Sequence, residues 1–240
     1  SMHVANLAES AASAIGAKAL LSRVGALYHD IGKILKPEYY VENQSSGVNE
    51  HDKLKPQMSA MVIKAHVSEG IKIAQEAGLP NKLIDFIRTH HGTSVIRYFF
   101  EKAKDNDSMK EVTAEEKFRY DGPLPATKET GILLLADGIE AASRAMKSPT
   151  YPRLENLVNR MVDERVKEGQ LGHCPLTFRD LQLIKEAFMN VLMGIYHHRV
   201  EYPEDKTQQT TEADSKAEVD SKAEVEVEVD TKAEVDTKAE

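Results

Sequence analysis

An aspartate sits inside the most apolar stretch of this chain, GILLLADGIEAA at residues 131–142. A helix over that stretch would be buried almost all round, and Asp137 with it. A buried carboxylate costs several kcal/mol unless it is paired or bound to a metal. Asp137 therefore constrains the fold, because something must be brought to it.

The histidines supply candidates. Nine are present, and several stand where an inert residue is awkward. His29-Asp30 closes the apolar run LLSRVGAL. His66 lies in MVIKAHV. His90-His91 ends a further run and is followed at once by Gly92. Each has a plain structural alternative: a lone histidine on a helix is ordinarily satisfied or exposed, and an HH pair is often a polar helix end. Taken together with Asp137 the set fits a metal site better, since imidazole and carboxylate suit Mn, Fe, Zn and similar ions. Adjacent His29 and Asp30 can serve one metal, or two if the carboxylate bridges.

The periodicity predicts an all-α chain. Val4, Leu7, Ala8, Ala11, Ala12 and Ile15 recur at helical spacing, with Gly16 closing the run. Leu20, Leu21, Val24 and Leu27 read as a second buried stripe. Pro37 to Pro56 reads as a long polar loop and Met58 to Ala77 as a helix. After the break at GLP, Asn81 is the expected N-cap of the next helix. Residues 101–129 read as an excursion with little regular structure. Three helices follow, over Thr130 to Met146, Pro152 to Leu171 and Thr177 to His198. Thr177 and Asp180 have capping-box spacing. The YFF run at 98–100 reads as a packing stripe.

Charge divides the chain. From Glu204 to Glu240 there are 13 acidic and 5 basic residues, leaving 26 of each in 1–203. The neutral body gives no basic face for duplex nucleic acid. The tail repeats DSKAEV and DTKAE units whose apolar content is Ala and Val alone, so disorder is expected beyond about Glu204. Cys174 is the only cysteine, which excludes an internal disulfide and fits a reducing compartment. No apolar run approaches the roughly 18 residues of a membrane span.

HDIGK followed by a later His, then HH, then Asp, resembles the HD-domain metal-dependent phosphohydrolases. The extra histidines look like the two-metal subset. Cyclic di-GMP phosphodiesterases of that subset carry a GYP tripeptide after the HH region, where this chain reads HHGTSVIRYFF. The chain is instead similar to the cytoplasmic HD domain of the seven-transmembrane HD phosphodiesterases. The matching stretches are VANLAE (4–9), YHDIGK (28–33), ENQ (42–44), NEHD (49–52), HHGT (90–93), FRYDGP (118–123), TKET (127–130), ADGIEAASR (136–144) and HRVEYP (198–203).

The resemblance implies an HD-domain helical bundle over residues 1–203 with a metal centre in its core, and a tail over 204–240 outside it. It implies two divalent transition metal ions, Mn or Fe. His29, Asp30 and Asp137 would bind the first, and His66, His90 and His91 the second, with Asp30 bridging. A metal-activated hydroxide would open cyclic di-AMP to linear pApA. Lys33 is then expected to assist catalysis and contact phosphate, and Arg144 to clamp phosphate, against ordinary surface roles for both. Gly32 would let the backbone turn away from the metals. The family's other part is membrane-spanning, so a membrane-anchored parent protein with this domain in the cytoplasm is expected.

The family pattern also has a metal-binding histidine separated from VANLAE by three residues, which falls immediately before Ser1. The expectation is that the sequence starts just after it, with His3 as an alternative ligand one helical turn along. Glu50 stands where relatives carry proline. Rival readings are a cyclic-dinucleotide or metal-binding module without turnover, an HD phosphohydrolase for another nucleotide, and a scaffold acting through its acidic tail.

Overall fold

The computed structural model describes residues 1–40, 43, 49–105 and 115–197. Among them run eight α-helices: α1 (Met2–Ala14), α2 (Ala19–Tyr28), α3 (Pro56–Glu76), α4 (Asn81–Thr89), α5 (Arg97–Asp105), α6 (Lys128–Arg144), α7 (Tyr151–Lys167) and α8 (Phe178–His197). Short 3-10 turns occupy Ile31–Leu35, Pro37–Tyr39, Glu50–Lys53 and Glu115–Phe118. The only β pairing among the described residues is one antiparallel bridge between Val95 and Arg119. The architecture is the expected all-α bundle.

Helix α6 is its axis. Ile132, Leu133, Leu134, Leu135, Ala136 and Ile139 are all buried. The alanine-rich face of α1 (Ala5, Ala8, Ala11, Ala12) joins them in one core, with Leu154, Val158 and Val162 of α7 and Ile184, Phe188 and Leu192 of α8. Each fully buried Leu, Ile or Phe stabilises by ~1.5–3 kcal/mol. The start of α6 is fixed by a capping box: the Thr130 N–H donates to Thr127 Oγ1 at 3.2 Å and the Thr127 N–H donates to Thr130 Oγ1 at 3.1 Å. A reciprocal pair also opens the last helix, where Thr177 N–H donates to Asp180 Oδ2 and Asp180 N–H to Thr177 Oγ1, both at 3.0 Å. The carboxylate thus does the work usually given to Glu or Gln.

Helix α2 departs from its predicted stripe. Its buried residues are Ser22, Gly25 and Ala26, while Leu20 is 71% and Leu27 41% exposed. The reason is close approach: a Cβ at Gly25 would lie 2.4 Å from the Phe86 ring of α4. Only small side chains fit that seam. His29 follows on the same face, three residues after Ala26, and so enters the interior.

Three further expectations are corrected. Asn81 is the first residue of α4 and Pro80 is its N-cap, entering with ψ 142°. The segment from Pro37 to Pro56 is not a loose polar loop where it is described: Tyr40 and His51 are buried, and the His51 Nε2–H donates to the Tyr39 carbonyl at 2.8 Å. The region after residue 101 continues α5 to Asp105, because Phe99, Phe100 and Ala103 pack with Ala60 and Phe118 in a second core cluster. Tyr98 remains exposed. The tail over 204–240, and His198 before it, lie outside the described residues.

Candidate metal centre

Two of the candidate pairs stand at helix ends and two single residues in helix middles. His29 is the C-cap of α2 and His90 the C-cap of α4. Their neighbours Asp30 and His91 begin the exits. His66 lies midway along α3 and Asp137 midway along α6. Gly92, at φ +51°, turns the chain sharply away after His91, a conformation that favours glycine.

Gly32 has a different reason from the one expected. Its φ is not positive. It is the point where the 3-10 turn after Asp30 lies on α3: a Cβ there would sit 2.0 Å from the His66 carbonyl oxygen and 2.6 Å from Gly70 N. The glycine is needed for contact between two backbones, and that contact sets Asp30 beside His66.

The six side chains converge. Asp30 Oδ2 is 3.1 Å from His29 Nε2. Asp30 Oδ1 is 3.5 Å from His66 Nε2 and 3.7 Å from His90 Nε2. His66 Nε2 and His90 Nε2 are 3.1 Å apart. Asp137 Oδ1 lies 3.3 Å from His29 Nε2, and Oδ2 3.9 Å from His91 Nδ1. Two groups have their donor atoms within 4.8 Å of one another: His66, His90 and His91, and His29, Asp30 and His90. His29, His66 and His90 are buried, while Asp30, Asp137 and His91 open by about a fifth onto a cleft.

The tautomers follow from the second nitrogen of each ring. His29, His66 and His90 all place Nδ1 on the carbonyl three residues back, at 2.7, 2.5 and 2.8 Å. Nδ1 therefore carries the proton and Nε2 presents a lone pair inward. His66 and His90 then face each other lone pair to lone pair. His29 Nε2 and Asp30 Oδ1 are buried with no hydrogen-bond partner; the close carboxylates around His29 Nε2 are not aligned to bond it. The C-termini of α2 and α4 add their partial negative charge. Every one of these features calls for a cation in the middle, so the residues fit a metal.

The titration behaviour agrees for His66, His90 and His91, which stay neutral; at His29 a proton takes the place of the cation on Nε2 when no metal is bound. Burial opposes protonation of His29, but the carboxylates of Asp30 and Asp137 outweigh it and push its pKa up to about 10. Burial, then the neighbouring His29 and His66, bring His90 down to about 3. Burial lowers His66 despite Asp30. Burial with His90 and His66 holds His91 well below its usual value. Burial alone would raise Asp30 and Asp137, yet His29 keeps both carboxyls below the ordinary range. One proton at His29 thus sits among three neutral imidazoles and two carboxylates.

The cleft has a volume of about 1080 Å³ and runs from Asp30, His91 and Asp137 out to Tyr39, Phe99 and Arg144. Lys33 also lines it, with Nζ 2.8 Å from Asp30 Oδ2 and 5.2 Å from the centre of the Tyr40 ring. Arg144 stands at the rim, half-exposed, 3.6 Å from Glu140 Oε2. His3 faces Glu140 instead, at 3.8 Å, and belongs to neither donor group. Ser1 lines the cleft. His51 borders it but is tied to Tyr39, and His173 is exposed. The sequence reading missed Tyr120, whose ring stacks on His91 at 4.1 Å and 20°. The quoted stretch FRYDGP contains it, but no spacing rule links it to a histidine 29 positions earlier.

The HD domain family model matches residues 1–142. The cyclic-di-AMP phosphodiesterase PgpH of Bacillus subtilis (strain 168) is 44% identical over 204 residues, covering 85% of this chain and 28% of that protein. PgpH of Listeria monocytogenes serotype 1/2a (strain 10403S) is 43% identical over 207 residues, covering 86% of this chain and 28% of its own. The chain thus spans little more than a quarter of the length of these curated relatives. The crystal structure of the L. monocytogenes PgpH HD domain superposes with a TM-score of 0.76 at 41% identity, covering 82% of this chain and 91% of that one. The same HD domain in complex with cyclic-di-AMP gives a TM-score of 0.77 at 41% identity, covering 84% and 92%.

Proposed function

This chain belongs to the HD domain family, and on that premise we propose that it is a metal-dependent phosphodiesterase hydrolysing cyclic di-AMP to linear pApA. The observation that carries the reading is the buried cluster of donor atoms: His29 Nε2 and Asp30 Oδ1 have no hydrogen-bond partner, and His66 Nε2 and His90 Nε2 converge on Asp30 with their Nδ1 atoms already used on backbone carbonyls. His29, Asp30 and Asp137 would hold one divalent ion and His66, His90 and His91 a second, with Asp30 between them. Mn or Fe suits this mixture of nitrogen and oxygen donors. Two such ions supply a hydroxide near neutral pH and neutralise the phosphodiester oxygens.

The chain's own residues do the rest. Helix geometry holds the His29, His66 and His90 imidazoles through Nδ1–H, so those three donor atoms are already aimed inward. Lys33 balances the second oxygen of Asp30 and lies where a phosphate entering the cleft meets it. Arg144 offers a guanidinium at the rim, suited to the fork of a phosphate. The large aromatic-walled cleft suits a cyclic dinucleotide. The domain would act in the cytoplasm as part of a longer, membrane-anchored protein. No helix among the described residues is itself long and apolar enough to cross a membrane.

The test is metal content and turnover on one purified sample loaded with Mn or Fe, offered cyclic di-AMP and cyclic di-GMP side by side. About two metals per chain and selective conversion of cyclic di-AMP to pApA are expected. Full loading without turnover of either would sink the catalytic reading and leave a binding module. In the active sample, Arg144→Ala should raise KM for cyclic di-AMP by about tenfold with little change in kcat, the pattern of lost ground-state binding. An unchanged KM would remove Arg144 from the substrate site.

A further inference from the structure

The HHGT stretch has more in it than two metal-binding histidines. Thr93 is held at every polar atom it owns by side chains from elsewhere in the chain. Its N–H donates to Gln170 Oε1 at 2.9 Å. Its hydroxyl receives Gln170 Nε2 at 3.0 Å. Its carbonyl accepts from Arg119 Nη1 at 2.9 Å. Gln170 is 1% exposed and 77 residues away in sequence. It also presses on Gly92, where a Cβ would lie 2.4 Å from Gln170 Oε1.

Gln170 is itself fixed. Gly169, at φ +72°, closes α7, and the Gln170 N–H donates to the Arg165 carbonyl at 3.0 Å. Glu168 beside it binds Arg165 at 2.7 Å and pairs with Arg97 at the start of α5. The end of α7 therefore grips the chain just after His91. The HD domain match ends at residue 142, so this grip comes from outside the matched region.

We propose that Gln170 is a positioning residue for the metal centre: through Thr93 and Gly92 it fixes the exit of α4, and with it the aim of His90 and His91. The inference rests on the metal reading above for its functional meaning. A buried amide with both ends used transmits position well, because shifting it leaves buried polar atoms without partners. Outer partners of metal ligands typically change metal affinity by about 10–100-fold when removed.

The test compares Gln170→Asn with Gln170→Glu in the full chain. Asparagine keeps the polarity but withdraws the carbonyl by one methylene, out of reach of the Thr93 N–H. Glutamate keeps the reach and the acceptor, and the Thr93 hydroxyl can turn to donate. Manganese affinity, measured by titration on chains verified as folded by circular dichroism, should fall about tenfold in the asparagine variant and return to within about threefold of the parent in the glutamate variant. NMR of the metal-free chains should show the His90 and His91 ring signals shifted or broadened with asparagine and restored with glutamate. The exposed His3 and His173 should not move. Parent-like ring signals and affinity in the asparagine variant, or equal losses in both, would overturn the proposal. If the parent takes up no metal, the phosphodiesterase reading fails by itself, and the ring signals still decide the role of Gln170.

Discussion

Asp30→Asn should keep the fold and lose the chemistry. Asp30 is the carboxylate that faces histidines of both donor groups most closely, with Oδ2 3.1 Å from His29 and Oδ1 3.5 Å from His66. Asparagine is the same size, so packing around the 3-10 turn survives. Its amide is neutral, and its N–H groups would donate to imidazole lone pairs that a cation needs. The expected result is a fall from about two metals per chain to one or fewer, with turnover of cyclic di-AMP reduced by about 10²–10³-fold or more, the scale of losing a preorganised charge at a reacting phosphate. The circular dichroism spectrum should match the parent. A variant that keeps both metals and more than about a tenth of the turnover would show that Asp30 does not bridge.

Gly32→Ala should have the opposite signature, because it damages the frame and not the charges. The added methyl would meet the His66 carbonyl oxygen at 2.0 Å and Gly70 N at 2.6 Å. Both are backbone atoms inside α3, so no side chain can swing aside. Either the turn lifts off the helix or the helix bends. Overpacking of this kind costs about 1–3 kcal/mol, and backbone-on-backbone contact belongs at or above the top of that range. For a domain of this size that is a fall of roughly 6–12 °C in Tm, at about 2–4 °C per kcal/mol. Turnover should fall further than stability at temperatures where the chain is still folded, since lifting the turn separates Asp30 from His66. A variant with parent-like Tm and activity would mean that the contact is softer than the structure makes it.

The side chains that converge at the candidate metal centre were legible as a set because they are chemically out of place. A carboxylate amid Leu133, Leu134, Leu135 and Ile139, or a histidine among Val62, Ile63 and Val67, needs an explanation that a polar surface residue does not. The helices were legible for the same reason that α6 is the axis: long apolar periodicity has few other solutions. What failed was reading burial from size. Leu20 and Leu27 are the bulky residues of α2, yet Ser22, Gly25 and Ala26 face inward, because the seam with Phe86 is too narrow for anything longer. Tyr120 and Gln170 were hidden for another reason. Both act through partners far away in sequence, Tyr120 on His91 and Gln170 on Thr93, and no local spacing encodes such a pairing. The role of Gly32 was mistaken because a glycine needed for close approach looks, in sequence, the same as one needed for a turn.

The three carbonyl anchors have a consequence for how such a domain lives. His29, His66 and His90 are each steadied by the peptide oxygen three residues back in the same segment, so their aim is inherited from helices that the hydrophobic core already stabilises. Zinc-finger modules, which melt when stripped, show the contrary arrangement. On the proposed metal reading, the emptied and the filled protein would share one scaffold, a socket and not a staple, so ions could leave and return without the domain unfolding.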